Sequence, residues 1–409
     1  MNDQLATSVV RFIGETSNVH ANALARFSQR QWRSSFHWLV TSGLALYLWD
    51  SLVELGAEDV LPIRVGQRLA ALDEGSVRRT AELRGDFVAL TRRFAELGMP
   101  FAAWKGFALA PEFCPDIRLR PQMDFDFIIP VEHVDAFDAC LRAAGFRQTG
   151  VTEVEARYEN LPGNHYSVEQ VYLPKPHRKV ELHFGRDNPS RVTPGIILDD
   201  CLTRGRILRI DNYDVPVLSP ADSFLTHAAH AGRHALSGWA RLGWLKELDH
   251  FMQSNRDDAE LWQRVQQLVT EDPACIAASA VGVLLASVVW QRELPPGLSW
   301  IRGAIPAGAV RWIDRYGSRF AAIDFPGSKL HLLLSRELVS AQEWRRLESS
   351  ALYPIRKPGR VVHTEASSAL SSKVRAEGIQ LRFVCRRIRF HLKETLRYLI
   401  AKRTWPRPA

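Results

Sequence analysis

The sequence predicts an α+β protein in which a small mixed α/β module lies between helical segments. Three observations carry this. Apolar residues recur at three- and four-residue steps through the first hundred residues. The period then shifts toward alternation, and helical spacing resumes at residue 219. With 409 residues the chain exceeds one ordinary core. The expected organisation is an N-terminal helical segment (1–97), an α/β core (98–218), a helical domain (219–366), and a Ser/Ala-rich linker leading to a basic C-terminal helix (367–409).

In the first segment Leu24, Phe27, Trp32, Phe36 and Leu39 mark one helical stripe. Leu69, Leu72, Val77, Leu83, Phe87, Leu90 and Phe94 mark a second. Gly56 to Pro62 separates them, and Gly98-Met99-Pro100 stops the second. Phe101 to Trp104 is a short apolar run before Lys105-Gly106, and Phe107 to Phe113 looks helical. Asp116 to Gln122 is loop. Met123 to Ile129 alternates and ends at Pro130, which predicts a strand. Val131 to Ala144 is an amphipathic helix closed by Gly145. Val168–Leu173 and Lys179–Phe184 alternate across a Pro-containing turn, which predicts an antiparallel hairpin. Ser219-Pro220 is an N-cap followed by proline at the first helical position. Helices are expected through Arg241–Met252 and Leu261–Val269. The run Ala274–Trp290, interrupted by Ser279, Gly282 and Ser287, sits at the bottom edge of a membrane-spanning length and reads as a buried Ala-rich helix.

A composition of 46% hydrophobic and 24% charged residues excludes a largely disordered, collagen-like or membrane-embedded chain. The five cysteines are scattered without a CxxC pair, which argues against a disulfide framework and a thiolate zinc site and points to a reducing cytoplasm. The first residues lack a basic cluster before an apolar run, so no signal peptide is expected. Residues 375–409 hold ten Lys/Arg and two acids, a net +8 that equals the whole chain's +8. The body is neutral overall, and whole-surface nucleic-acid binding is not indicated.

The segment richest in chemistry runs from Trp104-Lys105-Gly106 to Asp124-Phe125-Asp126. On a strand, Asp124 and Asp126 share one face, and paired carboxylates suit a divalent cation between them. Taken alone, a DxD triplet is expected roughly once by chance in a chain of this length. Lys105-Gly106 at a strand end could offer backbone N–H groups to an anion, and Arg120 has a planar fork for phosphate oxygens. Each has a bland alternative, a solvated turn or a surface ion pair. On Lys179–Phe184, Glu181 and His183 share a face. Glu181 is read as a third ligand or a base, and His183 as a residue orienting the ligands. Three acids converging in this way are expected to raise one another's proton affinity. His227, His230 and His234 fall at helical spacing without a zinc-like partner acid and read as a capped or solvated helix face.

Together, Trp104-Lys105-Gly106, Arg120-x-x-x-Asp124-x-Asp126 and Val180-Glu181-Leu182-His183, continued by Ser219-Pro220-Ala221-Asp222, His227, His230 and Arg241-Leu242-Gly243-Trp244-Leu245, resemble the bacterial uncharacterised nucleotidyltransferases of the polymerase-beta-like superfamily. The resemblance implies a small mixed-sheet nucleotidyltransferase core and transfer of a nucleoside monophosphate from an NTP to an acceptor hydroxyl or phosphate. It also implies Mg2+ (or Mn2+) at Asp124, Asp126 and Glu181, and triphosphate contacts from Lys105, Gly106 and Arg120. The superfamily's Gly-Ser is replaced here by Gly106-Phe107, so no hydroxyl is available to a phosphate. The competing expectation is a catalytically degenerate nucleotide-binding scaffold. The basic tail is expected either to contact a membrane surface or polyanion, with Ile379, Phe383, Ile388, Leu392, Leu396 and Leu399 on one side, or to dock with its arginines solvated.

Overall fold

The computed structural model describes residues 2–161, 171–174, 177–185, 200–271, 275–325, 327–353 and 370–406. The N-terminal helices are α1 (Asp3–Gly14), α2 (Asn18–Leu24), α3 (Gln29–Thr41), α4 (Ala45–Leu55) and the long α5 (Ile63–Glu96). The expected break is real: Gly56 caps α4 in a left-handed conformation at φ 61°, and Pro62 precedes α5. The core then runs β1 (Ala102–Trp104), β2 (Phe125–Ile128), α6 (Val134–Ala143), β3 (Arg147–Val151), β4 (Glu155–Glu159), β5 (Lys179–His183), β6 (Arg206–Ile210) and β7 (Tyr213–Val217). Helices follow as α7 (Pro220–Leu236), α8 (Leu242–Ser254), α9 (Ala259–Glu271), α10 (Ile276–Trp290), α11 (Ala307–Trp312), α12 (Ser318–Ala322), α13 (His331–Leu338), α14 (Ala341–Leu352) and α15 (Leu370–Thr404).

The protein is an α+β molecule built on a seven-stranded mixed sheet of order β3-β4-β5-β2-β1-β7-β6. β2–β5 and β1–β7 pair in parallel, and β1–β2, β3–β4, β4–β5 and β6–β7 antiparallel. Two expectations change here. The antiparallel partner of β5 is β4, not 168–173. Of that stretch, 168–170 lie outside the described residues and Val171–Tyr172 form a helical turn. Phe107–Phe113 is not a helix either: only Gly106–Leu109 winds, as a 3-10 turn. Pro111 lacks the N–H that a continuing helix needs.

Alternation along the strands divides the sheet into two faces. Phe125, Phe127, Val180 and Leu182 face an apolar core with Phe87, Phe94 and Phe137 from α5 and α6. There Phe94 meets the Phe127 ring edge-on at 4.9 Å and the Phe137 ring at 4.8 Å. Ala102, Trp104 and Ile128 face the other way, into a core shared by α1–α4, the first half of α5 and α7–α13. The 34-residue α5 serves both, with Val65, Leu69 and Leu72 in one core and Leu83, Phe87 and Leu90 in the other.

Within the helical core, α7 and α10 cross at backbone contact. A Cβ added to Gly232 would overlap the Ala278 carbonyl, and one at Gly282 would overlap the Ala228 carbonyl. Neither obstacle is a flexible side chain, so the helices would have to separate. Gly282→Ala should therefore cost about 3 kcal/mol as overpacking, read as a lowered denaturation midpoint in urea. An unchanged midpoint would show that the crossing is looser than described. Gly303→Ala, in open space, is the control.

Candidate active site

Register builds the polar face of the sheet. On parallel β2 and β5, Asp126 lies opposite Glu181, so both carboxylates leave the same side of neighbouring strands. His183, two residues further on, returns to that side, and its Nε2 lies 3.0 Å from Asp126 Oδ1. Ligand atoms of Asp126, Glu181 and His183 fall within 4.8 Å of one another, and among the described residues this is the group of metal-binding type. Asp124 stands one residue before β2, since the strand begins at Phe125 rather than Met123. It feels the charges of Asp126, Lys105 and Arg120 but lies outside that three-residue group.

At the end of β1 the backbone turns through positive φ at Lys105 (φ 57°) and Gly106 (φ 48°). The turn sends Lys105 back over the sheet, where Nζ donates to Asp126 Oδ1 at 3.0 Å and lies 3.9 Å from the Trp104 ring centre. A Cβ at Gly106 would come within 2.8 Å of Gln122 Oε1. Gln122 is buried, and among the described residues neither atom of its amide has a hydrogen-bond partner. A four-residue 3-10 turn has little dipole, so anion contact at this point falls to backbone N–H groups and Lys105.

The third wall comes from the helices. Trp104 Nε1 donates to Thr226 Oγ1 on α7 at 3.1 Å, and the Trp104 ring meets His183 edge-on at 4.8 Å. Arg120 follows a turn whose Arg118 pairs with Asp50, Asp73 and Asp116, tying the loop to α4 and α5. Arg120 itself is not a surface residue: its Nε donates to Glu247 Oε1 on α8 at 2.9 Å. His227 Nε2 lies 2.9 Å from the other Glu247 oxygen, with both side chains buried. The histidine face of α7 is thus packed rather than solvated. The His230 ring meets Trp244 edge-on and the His234 ring lies tilted against it, with ring centres 4.5 and 4.7 Å away. Sequence reasoning missed Glu247 and Gln122. The signal for Glu247 was faint: an acid one turn beyond Arg241-Leu242-Gly243, on the apolar side of a helix.

A family model described as uncharacterised nucleotidyltransferase matches residues 28–286, more than half of the chain. The chain belongs to this family. A similar solved structure, the crystal structure of an antigenic nucleotidyltransferase-like protein from Paracoccidioides brasiliensis, is 17% identical, with a TM-score of 0.29, over 49% of this chain and 93% of that chain. No curated protein matches. The matched region of the nucleotidyltransferase family contains the carboxylate face together with α7 and α8, which cover it.

The electrostatics of the face are uneven. Burial, reinforced by the charge of Asp126, pushes Asp124 up to about 6. Burial and the charges of Asp126 and Asp124 push Glu181 up to about 7. Asp126 departs from the expectation for three converging acids. Burial would raise it too, but the Lys105 ammonium and the His183 hydrogen bond prevail and hold it well below the usual carboxylate range. Burial, helped by Lys105, keeps His183 below its usual range.

Asp124 and Glu181 bind their protons more tightly in the folded than in the unfolded state. Their contribution to stability is full below the ordinary carboxylate range and is lost as pH rises through about 6 and 7. In metal-free buffer, Glu181→Gln should melt above the wild type at pH 8, with the gap closing by pH 5. Asp126→Asn should melt lower at both, because it leaves a largely buried lysine without its carboxylate. A higher melting temperature for Asp126→Asn would overturn this charge arrangement.

Proposed function

We propose that the protein is a nucleotidyltransferase that moves a nucleoside monophosphate from an NTP to an acceptor hydroxyl or phosphate, with Mg2+ or Mn2+ held by Asp126, Glu181 and Asp124. The observation that carries the reading is Asp126 in register with Glu181 beside the Lys105-Gly106 turn, in a chain of this family. The donors fit a divalent cation: the carboxylates of Asp126 and Glu181 converge with His183, and Asp124 and Glu181 carry proton affinities that a bound positive charge would relieve. When bound, the cation supplies Lewis-acid stabilisation of phosphoryl oxygens.

The remaining work falls to the chain. Lys105 and Arg120 bind triphosphate oxygens, Arg120 being aimed by Glu247. Gly106 offers its backbone N–H to the phosphates, its missing Cβ making room for the Gln122 amide. His183 orients Asp126. Glu181 serves as the third ligand or, where it does not hold the cation, its raised proton affinity suits it to take the proton of an acceptor hydroxyl. As the acceptor oxygen bonds to the α-phosphorus, the bond to pyrophosphate breaks. The helices α7 and α8 shape the acceptor side.

A second reading, a nucleotide-binding scaffold without turnover, is favoured by two features. Asp126 Oδ1 is shared by Lys105 and His183, and Gly106-Phe107 offers no hydroxyl. Pyrophosphate release from labelled NTPs with Mg2+ or Mn2+, across a panel of small-molecule, protein and RNA acceptors, separates the two. The expected outcome is metal-dependent release that falls at least about a hundredfold in Asp126→Asn and Glu181→Gln. Thermal stabilisation by an NTP with metal but no release would select the scaffold. No stabilisation by any NTP would remove both readings.

A further inference from the structure

The C-terminal helix carries a surface that the nucleotidyltransferase reading leaves unused. One side of α15 is docked: Ala376, Glu394, Tyr398 and Trp405 are buried, Ser328 Oγ donates to Glu394 at 2.9 Å, and Arg397 pairs with Asp324 at 2.6 Å. The opposite side is open. Val374, Leu381, Ile388, Leu392, Leu396 and Leu399 are each 43–69% exposed. Their spacings of 7, 7, 4, 4 and 3 place them in one line along the helix. This stripe differs from the expected one, because Ile379 and Phe383 turn toward the docked side and are half-buried.

A second line runs beside it. Arg375, Arg382, Arg386, Arg389 and Lys393 are exposed and lie about 60–120° round the helix from the apolar stripe. Among the described residues none of these five is ion-paired, whereas Arg397 and Lys402, nearer the docked side, are held by Asp324 and Glu348. The apolar line from Val374 to Leu399 is about 38 Å long. No described helix is long and apolar enough to cross a membrane.

We propose that this face of α15 lies on an anionic lipid surface, the apolar line entering the acyl boundary and the cations reaching the headgroup phosphates. Large aliphatic side chains in one straight row, bordered by cations with long flexible stems, match a planar interface whose apolar interior is edged with negative charge. A second copy is the poorer occupant, because antiparallel packing of α15 on α15 would set both cation rows on the same flank. An acidic protein would satisfy the cations but would need a complementary apolar ridge about 38 Å long.

The test is sedimentation of the full chain with vesicles of phosphatidylcholine alone or with about 30 mol% phosphatidylserine. Two variants accompany it, both altered only at exposed positions: Arg382→Gln/Arg386→Gln/Arg389→Gln, and Leu381→Ser/Ile388→Ser/Leu392→Ser. Binding is expected to the anionic vesicles only and to fall at least about tenfold in each variant. Equal binding to neutral vesicles, or binding that survives both variants, would overturn the proposal. A dimer in solution that the serine variant dissolves, without vesicle binding, would assign the face to a second copy. Retention on heparin that ignores the serine substitutions, without vesicle binding, would assign the cations to a soluble polyanion. Circular dichroism of the variants confirms that the helix persists.

Discussion

The crossing of α7 over α10 is the contact on which the candidate site depends. Gly232 and Gly282 let each helix rest on the other's backbone carbonyls, which leaves almost no freedom in where α7 lies. The next consequence is at the sheet. Thr226 on α7 receives the Trp104 indole N–H, and His227, one residue on, sits against Glu247. A shift of α7 would therefore move Trp104, whose ring borders Lys105 and His183, and Glu247, which holds Arg120. Two small residues in the helical core thus bear on the position of Trp104, Glu247 and Arg120.

The sheet supplies the complementary constraint. Its phenylalanine face is dry and closed by α5 and α6, so the alternate residues of the same strands have to emerge on the other side. That side could have been filled with aliphatic residues. Instead it carries Asp126, Glu181 and His183, and α8 brings Glu247 to hold Arg120 of the β1–β2 loop, which feels the Asp126 charge. Burial makes ionisation costly there, and the cost is divided unequally. Asp126 is stabilised by Lys105 and His183, while Asp124 and Glu181 are left with raised proton affinity. Such inequality suits a site where one carboxylate stays charged and others respond to a ligand.

Much of this was legible in the residues. The α5 stripe, the N-cap at Ser219, the buried run ending at Trp290 and the presence of acids on β2 and β5 all follow from local periodicity and turn chemistry. These depend only on neighbours within a few positions. The shared face of Glu181 and His183 was also legible, because alternation holds within a strand, whereas Asp126 meets Glu181 only through the register of β2 on β5. What remained hidden were the long-range pairings. That β5 pairs with β4, that Arg120 is matched by Glu247 some 127 residues away, and that Lys105 folds back onto Asp126 are outcomes of topology and backbone conformation, which no spacing in the chain encodes.

The same division explains the two misread surfaces. The α7 histidines looked solvated because a polar residue at helical spacing carries no sign of what will cover it, and only the approach of α8 buried them beside Trp244. The exposed line on α15 was half visible, since its leucines and arginines recur at helical steps. Which side of that helix meets solvent was decided when Tyr398 and Trp405 packed into the helical core, because a helix with apolar residues on two sides can bury either one. By itself, then, the sequence determined the class of fold, the elements that bear the acids and the charge of the tail. Tertiary structure decided which charges are paired, which carboxyl keeps its proton and which apolar face is left open.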